Sequence, residues 1–162
     1  MKKIIGFVVI VTFLSCNTQT PTKFSKEALN DSFVALDGSS KSLKEVLASH
    51  PGKTIFVDVW ASWCSDCIKN MPKVKHLQKA YQDVVYLFLS LDRGQKPWKK
   101  GIEKHDVQGE HYFIPSRDDS AFIQFANVGW IPRYMIVDSE GNIKLFEAVE
   151  ADDPRIKEYL NQ

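Results

Sequence analysis

Two near-continuous apolar runs, Thr54 to Trp60 and Val84 to Leu91, dominate the hydrophobic pattern of the chain. Runs of this length, rich in β-branched and aromatic residues, predict strands buried on both faces, as in a parallel sheet. Asp58 is the one charged interruption of the first run. Between the runs, apolar positions from Cys67 to Gln82 recur at helical spacing and predict a long helix, with a kink expected at Pro72. Shorter signals flank this centre. Ser32 to Leu36 reads as a strand closed by a turn at Asp37-Gly38-Ser39. Leu43 to Ser49 reads as a short helix ended by His50-Pro51-Gly52. Pro97 to His105 and Ser120 to Ala126 read as helices and His111 to Ile114 as a short strand. Tyr134 to Val137 and Asn142 to Ala148 predict a hairpin around Asp138-Ser139-Glu140-Gly141. Pro154 to Leu160 predicts a closing helix, with Asp152 or Asp153 as its cap. Alternating strands and helices imply an α/β fold with parallel pairs in a central sheet and helices on both faces. The hairpin adds an antiparallel edge.

The first residues follow a different pattern. Lys2 and Lys3 precede an apolar stretch, Ile4 to Leu14, that is shorter than the roughly 20 residues of a permanent span. Residues 1–15 therefore read as a signal peptide. Ser15-Cys16 after Phe13-Leu14 resembles the lipobox of bacterial lipoproteins, which makes Cys16 the expected lipidation site and new N-terminus. The polar, Thr-rich stretch 16–26 reads as a tether, and 27–162 as one domain without repeats. Acylation of Cys16 would anchor the protein at the cell envelope, facing the periplasm or extracytoplasmic side.

Three cysteines are an odd number, and lipid on Cys16 leaves one pair, Cys64 and Cys67. Without Lys2 and Lys3, nineteen basic residues face twenty acidic ones. That balance argues against nucleic acid as a partner. Lys96, Lys99 and Lys100 are followed by Glu103 and Asp106 and read as a solvated helix face.

The chemistry lies in Trp63-Cys64-Ser65-Asp66-Cys67, where the first apolar strand gives way to the long helix. Two thiols one helical turn apart can close into a disulfide and reopen, and in this context they read as a redox pair. A purely structural disulfide over so small a loop would contribute little stability. The four histidines show no ligand spacing with the cysteines, and no metal site is expected. The alternative kept open is a soft-metal module in which Cys64 and Cys67 hold Cu(I).

The segment Asp58 to Pro72 resembles the active-site segment of the thioredoxin superfamily. WASWCxxC followed by Met71-Pro72 is similar to the exported TlpA/ResA-type thiol–disulfide oxidoreductases. Ser90-Leu91-Asp92, Trp98, Val128-Gly129-Trp130-Ile131-Pro132 and the strand from Tyr134 stand in that family's order. The resemblance implies a thioredoxin-like three-layer fold with a central mixed sheet. It implies a protein-disulfide reductase in which Cys64 attacks, partly exposed at a helix N-terminus, and the more buried Cys67 resolves the mixed disulfide. Asp58 would be a buried proton acceptor, with Phe88 opposite it where many thioredoxins place a Lys. Pro132 would be the family's cis-proline, and Trp63, Ile131 and Pro132 would contact substrate. Arg133 departs from the Thr common at that place and is expected to select acidic or bulky partners.

No organic cofactor is expected beyond the disulfide itself. The partners implied are exported proteins with disulfides or thiols, an upstream membrane electron donor and the membrane, with the protein itself a monomer. Ser65-Asp66 carries neither Pro nor a basic group, and Asp66 disfavours thiolate at Cys64. The dipeptide thus predicts a reductant or exchanger rather than a strong oxidant, and it lacks the buried Glu of some relatives' motif.

Overall fold

The computed structural model describes residues 20–161. The stretch expected to be a signal peptide, and Cys16, lie outside the described residues. Seven strands form one mixed sheet: β1 (Ser32–Ala35), β2 (Ser40–Ser42), β3 (Ile55–Trp60), β4 (Val85–Ser90), β5 (Glu110–Phe113), β6 (Arg133–Val137) and β7 (Ile143–Ala148). Their order is β2-β1-β5-β4-β3-β6-β7. The apolar runs behave as their composition dictates, because β3 and β4 pair in parallel at the centre and all of β3 is buried. β6 and β7 form the expected antiparallel hairpin at one edge.

Six helices cover the sheet: α1 (Lys26–Leu29), α2 (Leu43–Ala48), α3 (Ser65–Ala80), α4 (Gln95–His105), α5 (Ala121–Phe125) and α6 (Pro154–Leu160). Right-handed crossovers place α3 and α4 on one face. Trp98 of α4 packs on Phe113 at 5.8 Å between ring centroids. Phe113 pairs with Ser90, and Ser90 with Trp60, so this face carries Phe56, Asp58 and Trp60. α3 reaches α4's C-cap through Lys75–Asp106 at 3.1 Å, and α6's C-cap through the Tyr81 hydroxyl, which donates to Asn161 at 3.2 Å. The opposite face is covered by α5 and α1, where Phe122 meets Phe33 edge-on at 5.9 Å and Phe24 at 6.3 Å.

Several boundaries differ from the sequence reading, each for a local reason. α3 begins at Ser65 rather than Cys67, because Cys64 itself acts as the N-cap. It stays one helix across Pro72. α6 keeps its expected bounds, and of the two candidate caps Asp153 serves, with Pro154 in the first turn. β2 is polar throughout and is a strand only because it pairs with β1. The stretch read as a tether packs before residue 27: Phe24 is buried, and the Thr22 carbonyl accepts a hydrogen bond from Ile143 N at 2.8 Å. A phenylalanine in a Thr-rich run is a single apolar position without periodicity, so pattern alone does not reveal it.

Among the described residues, no helix is long and apolar enough to cross a membrane.

Candidate active site

Cys64 and Cys67 form a disulfide with a Cα–Cα distance of 5.3 Å. The local chain dictates that placement. β3 ends at Trp60, and a tight turn through Ala61 to Trp63 closes when Cys64 N donates to Ala61 O at 3.1 Å. Cys64 keeps an extended backbone and so caps α3, its sulfur accepting from Cys67 N at 3.0 Å. A sulfur in this position faces the unpaired amides and the positive end of a sixteen-residue helix, an environment that favours thiolate once the disulfide is reduced. Cys64 is less exposed than expected, at 5%. It lies at the floor of a groove rather than on the open surface.

That groove, of about 330 Å³, is lined by Trp63, Cys64, Ser65, Arg117, Trp130 and Ile131 among others. Trp63 and Trp130 are 56% and 64% exposed, the largest values among the big apolar side chains described. Bulky aromatics left in water beside a reactive sulfur mark a contact surface rather than a core. The Ile131–Pro132 peptide bond is cis. The Ile131 carbonyl lies 3.5 Å from Cys64 Sγ, and Pro132 is buried behind it. Sequence and fold therefore bring Trp63, Cys64, Ile131 and Pro132 together. Trp130 and Arg117 complete the groove without having been singled out for it. Trp130 stands two positions before the proline, and its Gly129 neighbour is the only sequence signal that it sits on a turn.

Asp58 sits in the middle of β3, laterally paired with Phe88 of β4 and Tyr134 of β6. Phe88 thus stands where the sequence reading placed it. Asp58 is 2% exposed and its Oδ1 has no hydrogen-bond partner. Burial alone pushes its carboxyl well above the usual range, since among the described residues no cation stands near to favour the charged form. Asp58 therefore has a raised proton affinity on a face that α3 covers. The Tyr134 hydroxyl is buried beside it, also without a partner, and both burial and the Asp58 carboxylate raise its pKa.

Arg133 is a correction. It does not face the groove and cannot select partners there. It is 7% exposed and donates to the carbonyls of Ala126 and Asn127 at 2.9 and 3.3 Å, with Glu147 3.3 Å away. Ala126 is the C-cap of α5, so the guanidinium closes that helix end. Arg133→Met should lower stability by about 2–4 kcal/mol in urea titrations, since the buried charge-assisted hydrogen bonds are lost. It should leave partner preference unchanged.

Asp66 is joined to Lys69 at 3.0 Å on the exposed side of α3, which tempers its charge beside Cys64. The histidines are dispersed: His50 meets Glu110 at 3.0 Å, His76 the Pro72 carbonyl and His111 the Val107 carbonyl. Among the described residues no cluster of three or more His, Cys, Asp or Glu is placed to hold a metal ion.

A family model described as thioredoxin-like matches residues 52–143. The thiol-disulfide oxidoreductase ResA of Bacillus cereus is 24% identical over 160 residues, covering 98% of this chain and 87% of the relative. The thioredoxin-like protein YneN of Bacillus subtilis is 28% identical over 123 residues, covering 74% of this chain and 68% of its own. The solution structure of a thiol:disulfide interchange protein from Bacteroides sp. superposes with a TM-score of 0.70 at 25% identity, covering 89% of this chain and 93% of that one. The thioredoxin domain of a thiol-disulfide oxidoreductase from Bacteroides vulgatus shares the fold with a TM-score of 0.69 at 23% identity, over 86% of this chain and 100% of that one. The mixed sheet, the disulfide at the head of α3 and these likenesses agree: the chain belongs to the thioredoxin-like family and is a thiol–disulfide oxidoreductase.

Proposed function

We propose that this protein is a lipid-anchored reductant or exchanger of the cell envelope, acting on the disulfides of other exported proteins. Cys64 is the attacking thiol, Cys67 the resolving thiol and Asp58 the proton acceptor. The observation that carries the reading is Cys64 Sγ, capping α3 and lying 3.5 Å from the Ile131 carbonyl, in a groove walled by two exposed tryptophans. Trp63, Ile131 and Pro132 hold the partner segment. The reduced Cys64 thiolate attacks one sulfur of a partner disulfide, releasing the other as a thiol and leaving a mixed disulfide. Cys67, giving its proton to Asp58, then attacks Cys64 Sγ. The second partner thiol leaves, and the Cys64–Cys67 disulfide forms. Two electrons pass to the partner, and an upstream dithiol at the membrane restores the pair. The redox pair itself serves in place of a bound organic cofactor.

The envelope location rests on the leader pattern and on Cys16, and Ser65-Asp66 supports the direction of electron flow. A Cys67→Ala variant, expressed in cells, is expected to accumulate mixed disulfides through Cys64 with exported proteins, in the membrane fraction. Redox equilibration of the wild-type pair should give a potential below about −180 mV, the region of protein disulfide isomerase. A higher potential removes the reductant reading. Captured partners confined to the cytosol remove the envelope reading.

A further inference from the structure

The turn that presents Cys64 is fastened from outside the CxxC segment. Asp92, just past the end of β4, is 5% exposed and accepts three hydrogen bonds. Its Oδ1 accepts from Ser62 Oγ at 2.6 Å, and its Oδ2 accepts from Ser62 N at 3.1 Å and from Ser90 Oγ at 2.8 Å. Ser90 Oγ in turn accepts from Asp92 N at 3.1 Å, and Leu91 N donates to Trp60 O at 2.8 Å. Among the described residues no cation pairs with this carboxylate; hydroxyls and amides alone hold it. From the other side α4 presses Gly101 against Ser62, where a Cβ on the glycine would collide with that of the serine. Ser62 is thus gripped between a buried carboxylate and a bare helix backbone, two residues before Cys64.

A buried carboxylate is costly to place unless its bonds do something an apolar side chain would not. We infer that Asp92 is a positioning residue: through Ser62 it fixes the Ala61–Trp63 turn that holds Cys64 Sγ at the cap of α3, below the Ile131 carbonyl. The inference rests on the proposed role of Cys64 as attacking thiol. With the grip released, the cap geometry loosens and the amides of α3 stabilise the Cys64 thiolate less.

This role has a sign that separates it from simple electrostatics. Removing an anion near a thiol would, by charge alone, favour thiolate and lower the thiol's titration midpoint. Loss of positioning raises it. The full reduced chain is alkylated with iodoacetamide across a pH series, and Cys64 is read by peptide mass spectrometry apart from Cys16 and Cys67. Asp58, Asp66 and Arg117 are the same in every variant. Asp92→Ala is expected to move the Cys64 midpoint upward and slow reduction of a small aromatic disulfide about tenfold. Ser62→Ala, which keeps the bond from Ser62 N, should give a smaller change of the same sign, about threefold. Asp92→Asn retains an acceptor for Ser62 N and should restore most of the rate. A midpoint that is unchanged or lower in Asp92→Ala overturns the inference, as does an Asp92→Asn no better than the alanine variant. If Asp92→Ala does not fold, an unchanged midpoint in Ser62→Ala overturns it. A wild type that reduces no disulfide at all instead overturns the role of Cys64.

Discussion

Cys64→Ala is expected to cut the reduction of insulin disulfides by the full chain at least about a thousandfold, the scale of losing a nucleophile outright. The geometry leaves no substitute. Cys67 is 2% exposed and lies one turn inside α3, with its amide turned toward the Cys64 position. A partner disulfide seated between Trp63 and Trp130, as proposed, would meet Cys64 first. Cys67→Ala should behave differently, with one attack per molecule followed by a stalled mixed disulfide and no further turnover. The contrast between no attack and a single attack is what assigns the two thiols, and quantifying released partner thiol per enzyme measures it. Sustained turnover by Cys64→Ala would remove the assignment. So would a Cys64→Ala variant that traps partners as efficiently as Cys67→Ala.

Much of the fold was legible because burial writes itself into composition. β3 and β4 are covered on both faces, so nearly every position is apolar and the two runs stand out. The CxxC pair is legible for a related reason: its spacing matches a helical turn, and its place at a strand end matches a helix N-terminus. What stayed hidden depends on long-range partners. β2 has no apolar face and exists through its ladder with β1. Phe24 becomes core only when Phe122 and Phe125 arrive from far along the chain. Arg133 looked like a groove residue because it follows Pro132, but alternation along β6 turns it away, to the end of α5. The link from Asp92 to Ser62 spans thirty residues and joins a strand end to a turn, a contact no local pattern encodes.

Asp58→Asn is expected to make the fold more stable at pH 7 while slowing catalysis. In the oxidised protein the carboxyl is buried, unpaired at Oδ1 and pushed well above the usual range by desolvation. In the unfolded chain an aspartate ionises with a pKa of about 3.9. Between that value and the raised folded one, the folded state holds a proton that the unfolded state has released. Stability from this group is therefore complete below the unfolded pKa and declines as pH rises toward the folded one, then levels off. Asparagine cannot ionise, so the difference between variant and wild type should be near zero at pH 4. It should grow through the neutral range to roughly 1–3 kcal/mol. Taking the difference cancels the surface carboxylates, such as Asp106 and Asp152, whose lowered pKa values act in the opposite sense. Urea titrations of the two oxidised proteins across this range supply the curve. Multiple-turnover exchange should meanwhile slow about a hundredfold, because Cys67 loses the group proposed to take its proton. A variant that is less stable than wild type at pH 7 would mean that Asp58 is charged and paired in the fold. A variant with an unchanged rate would mean that the proton leaves Cys67 by another path.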